Sequence, residues 1–372
     1  MSQAKHTRYQ VLYFGLINTI LNNIETHHMM SKSEECRRRL CDSVDKVSHT
    51  SDPKRRAIIL SGGVDTCAIL EASASINMSF AVAITVAIGE DSPDEAFAAY
   101  AAAQHGIEHH LIRMTTDDLI QEHLPKTVEL LQSWDGMTLR NSLVISAAFQ
   151  EASRIGIEDV VVGDGADELF GGYSFMWGSE DDPVLWKEKR DNICKKWTFA
   201  TPKLAASYGI RAHGPFMDEE FVSWALTTDR RDCIGERPIK LVMGGESIMH
   251  AVGKVVLREA FETCASWRRK DPIEVGSGAT IISRDEYWAD QLSDEEFMEA
   301  KDEFKAKGLI VRTKEHMMNL QCYLKVFGGI VHPAKKRLPL GQGCAGCCFD
   351  VGEENFCHIC GAWPAQRKTN EN

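Results

Sequence analysis

The chain has 372 residues, 44% of them apolar and 26% charged. That is the composition of a folded soluble protein of about two domains, and it opposes a disordered, collagen-like or membrane-embedded chain. With 42 basic and 54 acidic side chains the formal net charge is −12, which opposes general binding to nucleic acid or to an anionic membrane, so any anion site must be built from local positive groups.

The opening residues Met1-Ser2-Gln3-Ala4-Lys5-His6 are polar and predict no signal peptide, and no apolar run approaches the ~20 residues of a membrane span. Residues 1–50 read as a helical, accessory lead, because Leu12, Leu16, Ile20 and Ile24 recur on every fourth residue. The polar stretch from Ser48 to Pro53 then breaks the chain. Four apolar runs follow that read as buried strands: Ala57–Leu60, Phe80–Ile88, Ile107–Met114 and Asp159–Val162. Between them lie helical stretches from Asp65, from Asp91-Ser92-Pro93 to just before Gly106, over Thr116–Leu131 and over Asn141–Arg154. Strand–helix alternation predicts an α/β fold, a doubly wound parallel sheet with ligands at the carboxyl ends of its strands. Residues from about 185 to 330 read as mostly helical. The expected organisation is a lead over 1–50, a main domain over 51–335 and a Cys-rich tail over 336–372.

Ser61-Gly62-Gly63-Val64-Asp65-Thr66 lies between the first strand and a helix. Glycines let the backbone approach an anion, and a helix start aims free N–H groups at it. Ser61 and Thr66 add hydroxyls, and Asp65 can hold Mg²⁺. The plainer reading is a glycine turn that starts a helix. The second junction, Val162-Gly163-Asp164-Gly165-Ala166-Asp167-Glu168-Leu169-Phe170-Gly171-Gly172-Tyr173, follows the fourth strand and gathers three carboxylates. Beside a bound phosphate, carboxylates bind Mg²⁺ or take a proton from a nucleophile; taken singly, each also suits a solvated turn.

Five of the twelve cysteines (Cys344, Cys347, Cys348, Cys357, Cys360) fall within 17 residues. The pairs Cys344-Ala345-Gly346-Cys347 and Cys357-His358-Ile359-Cys360 suit four thiolates on tetrahedral Zn²⁺, with Cys348 as a substitute for Cys347 and His358 as a bystander. A disulfide pair, free thiols and an iron–sulfur cluster are the other readings. Scattered remaining cysteines and no signal peptide predict a reduced, cytoplasmic chain.

The loop Ser61–Thr66 resembles the PP-loop of ATP pyrophosphatases, and the string from Gly163 to Tyr173 resembles the GEGADELFGGY signature of asparagine synthetases and β-lactam synthetases. The resemblance runs in order over roughly 55–330. It takes in Ala87-Ile88-Gly89, Asp91-Ser92-Pro93-Asp94, Glu108-His109-His110, Trp134-Asp135 through Arg140, Pro215-Phe216-Met217-Asp218, Gly253-Lys254 through Phe261, and Trp267-Arg268-Arg269-Lys270. Such a family member cleaves ATP between its α- and β-phosphates and adenylates a carboxylate. Residue by residue, the resemblance implies that Leu60 and Ile88 contact adenosine and that Ser61, Gly62, Gly63 and Thr66 cradle the departing pyrophosphate. Asp65 and Asp167 would bind Mg²⁺, Gly163 would lie against the nucleotide or acyl-adenylate, and Lys254 would stabilise charge growing on the phosphates. Arg258, Arg268 and Lys270 are further cations, set against a solvated basic face. His109 and His110 read as structural.

Three departures stand out: Asp164 where the family has Glu, Val162 where it has Ser, and Arg211 and His213 within Gly209–Pro215 where it reads GxExRxP. Asp164 keeps the catalytic carboxylate on a shorter stem. Glutamine-using members begin with a glutaminase domain bearing an amino-terminal Cys. Residue 2 here is Ser and the loop begins at 61, so the expectation is free ammonia, another amine, or ammonia from a separate glutaminase subunit. The expected function is adenylation of a carboxylate, above all the β-carboxylate of aspartate, followed by transfer of ammonia to give asparagine, AMP and pyrophosphate. An amide or lactam synthetase for another acid is the next reading. A tRNA-modifying PP-loop enzyme with a zinc ribbon is opposed by the charge, and a non-catalytic binder is opposed by intact Asp65, Asp167 and Lys254. A homodimer stays open.

Overall fold

The computed structural model describes residues 30–178 and 182–366. The periodic Leu12–Ile24 stretch lies outside the described residues. The apolar runs form a five-stranded parallel sheet of β1 (Arg56–Ile59), β2 (Val82–Ile88), β3 (His109–Met114), β4 (Asp159–Val161) and β5 (Arg211–His213), in the order β3-β2-β1-β4-β5. All seven residues of β2 are buried, as a strand covered on both faces requires. Strand alternation sends Ala57, Ile84 and Val160 into one core and Ile58, Ala83 and Val161 into the other. Helices Thr116–Leu131, Gly136–Arg154 and Lys314–Phe327 cover the first face, and Lys32–Thr50, Val64–Ser75 and Pro93–Gln104 cover the second. The chain steps outward from β1 to β3 and then returns to place β4 on the other side of β1. That reversal opens a crevice at the carboxyl ends of β1 and β4. Both glycine-rich junctions sit there.

Three expectations change. The fifth strand is only three residues long, too short for its period to be read. The stretch 185–330 is not mostly helical throughout, because Gly235–Lys240 (β6) and Ser247–Val252 (β7) pair as an antiparallel hairpin. Its signal is weak because Pro238 interrupts β6 and the first four residues of β7 are all exposed, while Gly244, at φ +73°, serves the turn. The helix expected from Asn141 begins at Gly136, where Asp135 accepts from Thr138 N–H at 3.0 Å. The helix Lys32–Thr50 buries Cys36, Leu40, Val44 and Val47 in the second core. The tail shares the first core: Cys344, Cys347, Phe349 and Cys360 are buried with Trp134, whose backbone N–H donates to Ile359 O at 2.7 Å.

Candidate active site

The loop after β1 is shaped by Gly62. Its φ is +64°, and a Cβ there would come within 2.5 Å of Ala98 N and Phe97 Cβ. Only glycine fits both demands. Gly63 N–H donates to Ser61 Oγ at 3.2 Å, and Ser61 Oγ lies 3.5 Å from Thr66 Oγ1. Backbone and hydroxyl donors are thus grouped at the start of the helix Val64–Ser75. Gly163 packs on this turn: a Cβ would sit 3.1 Å from Asp65 Cβ and 3.3 Å from Thr66 Cγ2. The two junctions therefore meet.

Lys254 joins them. Its ammonium donates to Asp65 Oδ2 at 2.6 Å and Oδ1 at 2.8 Å, and it lies 2.8 Å from Asp167 Oδ1. The side chain is only 1% exposed. Burial disfavours its charge, but Asp167 and Asp65 outweigh that and hold its pKa above the ordinary lysine value. The backbone at Lys254 is left-handed, φ +61°, a strained conformation for a side-chain-bearing residue and one that concentrates at functional sites. It is held by Lys254 N–H to Phe170 O at 2.8 Å and by Arg258 Nε to Gly253 O at 2.8 Å. Gly172 makes room, since a Cβ there would collide with the Asp167 carboxylate and with Lys254 Cε.

Lys270 lies 3.7 Å from Asp167 Oδ2 and 5.6 Å from the Tyr173 ring centre. Burial would raise the Asp167 pKa, yet Lys254 and Lys270 bring it below the usual value. Despite the close lysine, buried Asp167 Oδ1 receives no hydrogen bond of proper geometry. That open lone pair, beside a second carboxylate, is the hard-oxygen donor set that Mg²⁺ takes. Asp164 stands next to the pair. Burial pushes its pKa up to about 6; a hydrogen bond from Thr201 pulls it down, and the charges of Asp167 and Asp65 raise it.

Leu60 and Ile88 are buried at the carboxyl ends of β1 and β2; Leu60 N–H donates to Ile84 O and Ile88 N–H to Ser277 O. Arg258 is placed differently from a phosphate ligand. It donates to the carbonyls of Gly253, Ser266 and Arg268, and burial lowers its pKa to about 10. Arg211 and His213 also face away from the crevice. Arg211 grips Asp159 with two bonds, 2.8 and 2.7 Å, and His213 Nε2 lies 2.7 Å from Asp159 Oδ1. Two residues of the site had no signal of their own in the sequence. Tyr173 donates to Glu168 Oε1 at 2.6 Å, and Asp94 accepts from Arg268 at 2.6 Å; both were visible only inside longer strings.

In the first core, beside Trp134, Cys344, Cys347, Cys357 and Cys360 bring their sulfurs within 4.8 Å of one another. Cys344 and Cys360 sulfurs are 3.6 Å apart, and those of Cys347 and Cys357 are 3.7 Å apart. A disulfide would need about 2.05 Å, whereas four Zn–S bonds of about 2.3 Å give tetrahedral edges of about 3.8 Å. Cys348 turns out of the cluster, its Sγ toward Gly308 O at 3.5 Å, and His358 is exposed.

Residues 35–192 match the asparagine synthase family. The probable glutamine-hydrolyzing asparagine synthetase of Dictyostelium discoideum is 28% identical over 261 residues, covering 66% of this chain and 44% of that protein. The glutamine-hydrolyzing asparagine synthetase B of Escherichia coli K12 is 26% identical over 300 residues, covering 74% of this chain and 50% of that protein. The chain thus spans about half the length of the curated relatives it matches. An NH3-dependent NAD synthetase from Campylobacter jejuni aligns over 45% of this chain and 78% of that one, at 16% identity and a TM-score of 0.28. No helix of the described residues is long and apolar enough to cross a membrane.

Proposed function

From the premise that the chain carries an asparagine synthase family domain, we propose that it is an ATP- and Mg²⁺-dependent ligase that adenylates a carboxylate and transfers ammonia to it. The observation that carries this is Lys254, buried and strained between Asp65 and Asp167 where the two glycine junctions meet. A carboxylate oxygen of the acid attacks the α-phosphorus of ATP, and the α–β bridge breaks to release pyrophosphate. Gly62 and Gly63 N–H groups with Ser61 and Thr66 hydroxyls receive the pyrophosphate, and Lys254 balances charge that grows on the bridging and α-phosphate oxygens. Bound Mg²⁺, held by Asp65 and Asp167, would neutralise phosphate charge. Ammonia nitrogen then attacks the acyl carbon, the bond to AMP breaks, and Asp164 accepts the proton the nitrogen loses.

We propose the β-carboxylate of aspartate as the acid. The amine is ammonia, dissolved or delivered by a separate glutaminase subunit. Pyrophosphate release should then require aspartate and ammonium together for turnover. Silence with aspartate but release with another acid would keep the adenylation and remove the substrate. One feature favours that second reading: Arg211 and His213 are both engaged by Asp159, so neither is presented to an amino-acid substrate.

For the tail we propose structural Zn²⁺ on Cys344, Cys347, Cys357 and Cys360, supported by the spacing of their sulfurs. Metal analysis of purified protein should find about one zinc per chain, falling to background in Cys357→Ser; iron with sulfide instead would replace the assignment. A reducing, cytoplasmic setting is the location we propose with this reading, since zinc-binding thiolates require reduced cysteines.

A further inference from the structure

The phosphate loop has a back as well as a face, and the back is held by a single guanidinium. Arg268 Nη1 donates to Ser61 O and to Gly62 O, each at 3.0 Å. Its Nη2 donates to Asp94 Oδ1 at 2.6 Å, and its guanidinium carbon lies 4.4 Å from the centre of the Phe97 ring. Arg268 is 4% exposed and Asp94 8%. The helix Pro93–Gln104 therefore supplies the carboxylate, the ring beneath the guanidinium and, through Phe97 and Ala98, the wall against which Gly62 is pressed. Gly276 closes the other side, since a Cβ there would strike both oxygens of Asp94.

A peptide group is planar and trans, so the C=O of one residue points opposite to the N–H of the next. Tying down Ser61 O fixes the direction of Gly62 N–H, and tying down Gly62 O fixes that of Gly63 N–H. Both N–H groups are thereby turned away from Arg268, and that of Gly63 reaches Ser61 Oγ. We infer that Arg268, oriented by Asp94 and Phe97, is a positioning residue that sets the loop's N–H groups toward the pyrophosphate half of ATP. This rests on reading Ser61–Thr66 as the phosphate cradle. The role differs from a direct phosphate contact: the arginine's Nη1 is spent on the loop's own carbonyls and its Nη2 on Asp94, with Asp271 Oδ2 3.6 Å away. A lysine cannot reproduce it, because one ammonium lacks the planar fork that holds two carbonyls and a carboxylate at once.

The consequence is selective. Losing the clamp disorders the pyrophosphate cradle but leaves the adenosine end alone. In titration calorimetry of the full chain with Mg²⁺-ATP and with AMP, Arg268→Lys should weaken ATP binding about tenfold or more, which corresponds to about 1.4 kcal/mol, while AMP binding stays within about twofold. Phe97→Leu should shift the same ratio in the same direction by less. Equal loss for ATP and AMP would make Arg268 merely structural, and ATP binding within about twofold of wild type would also overturn the inference. If Arg268→Lys shows no cooperative melt, the Phe97→Leu ratio decides by the same criteria. Wild-type protein that binds neither nucleotide would overturn the cradle reading, and the clamp with it; wild-type binding with an unmoved ratio would overturn the clamp alone.

Discussion

Strand β4 carries a buried acidic cluster at each end, and the two are built on opposite terms. At its amino end Asp159 is fully buried and closed by Arg211 and His213. Burial would raise the pKa of Asp159, but the hydrogen bonds from Arg211 and His213 hold it below the ordinary value. Beyond its carboxyl end, Asp167 and the neighbouring Asp65 share Lys254, with Lys270 3.7 Å from Asp167, and burial pushes the pKa of Asp164 beside them up to about 6. One cluster is complete without a ligand. The other sets Asp164 against two further carboxylates and has a buried oxygen with no aligned donor. Burial of charge alone does not mark a functional site; imbalance held in place by strain does.

The largest effect should come from removing the shared cation. Lys254→Met keeps the length of the side chain and deletes its charge. Pyrophosphate release should fall by roughly 10²–10³-fold or more, the scale of losing one electrostatic contact to a transition state. The variant also leaves Asp65 and Asp167 without that buried counter-ion, so its melting temperature should drop and recover in part with added Mg²⁺. A variant that kept the wild-type rate would erase the distinction between the two ends of β4.

Asp164 tests the unbalanced end through pH. It must be ionised to take a proton, so at a fixed concentration of neutral ammonia the rate should climb as pH rises through about 6 and flatten above it. Asp164→Asn should lose roughly 10²-fold in rate, at the low end of general-base contributions, and should lose that limb. Asp94 is also raised to about 6, chiefly by burial, so a limb that survives in Asp164→Asn belongs to the Arg268 clamp instead. Stability should move the opposite way. A carboxyl whose folded pKa is raised favours the fold below its unfolded pKa of about 4 and loses that contribution as pH rises through about 6. Replacing it by Asn therefore raises the melting temperature at pH 8, and not at pH 4.

The unbalanced end was largely legible in the sequence because each half of it is local. Ser61–Thr66 and Gly163–Asp167 are single strand-to-helix junctions, with glycines and acids at fixed short spacing. Lys254 could be placed there only by resemblance, because 189 residues separate it from Asp65 and nothing local marks its left-handed backbone. The cysteine cluster was legible from its spacing, although its packing on Trp134 was not. The balanced end was illegible: Asp159 lies 52 residues from Arg211, in strands of three residues. Sequence shows the charge of Arg258 and Arg268 and hides its direction: Arg258 points at backbone carbonyls, and Arg268 at two carbonyls and Asp94. The β6–β7 hairpin escaped because a mostly exposed strand has little apolar alternation to display.

The smallest effect should come from the balanced end, and it is the sharpest test of the comparison. The folded pKa of Asp159 is depressed, so its contribution to stability is present above the unfolded pKa of about 4 and is lost as pH falls through the lower folded value. Arg211→Ala leaves the buried carboxylate with His213 as its remaining side-chain partner. Arg211 is itself 62% exposed, and solvent screens much of its attraction. The melting temperature should therefore fall by only a few degrees at pH 7, and the gap to wild type should close as the pH drops below about 4 and Asp159 takes up a proton in both proteins. The rate per folded molecule should stay within about twofold, because nothing at that end faces the crevice. A variant with an unchanged melt and a lost rate would make Asp159, Arg211 and His213 part of the substrate site, and the two ends of β4 would then be one.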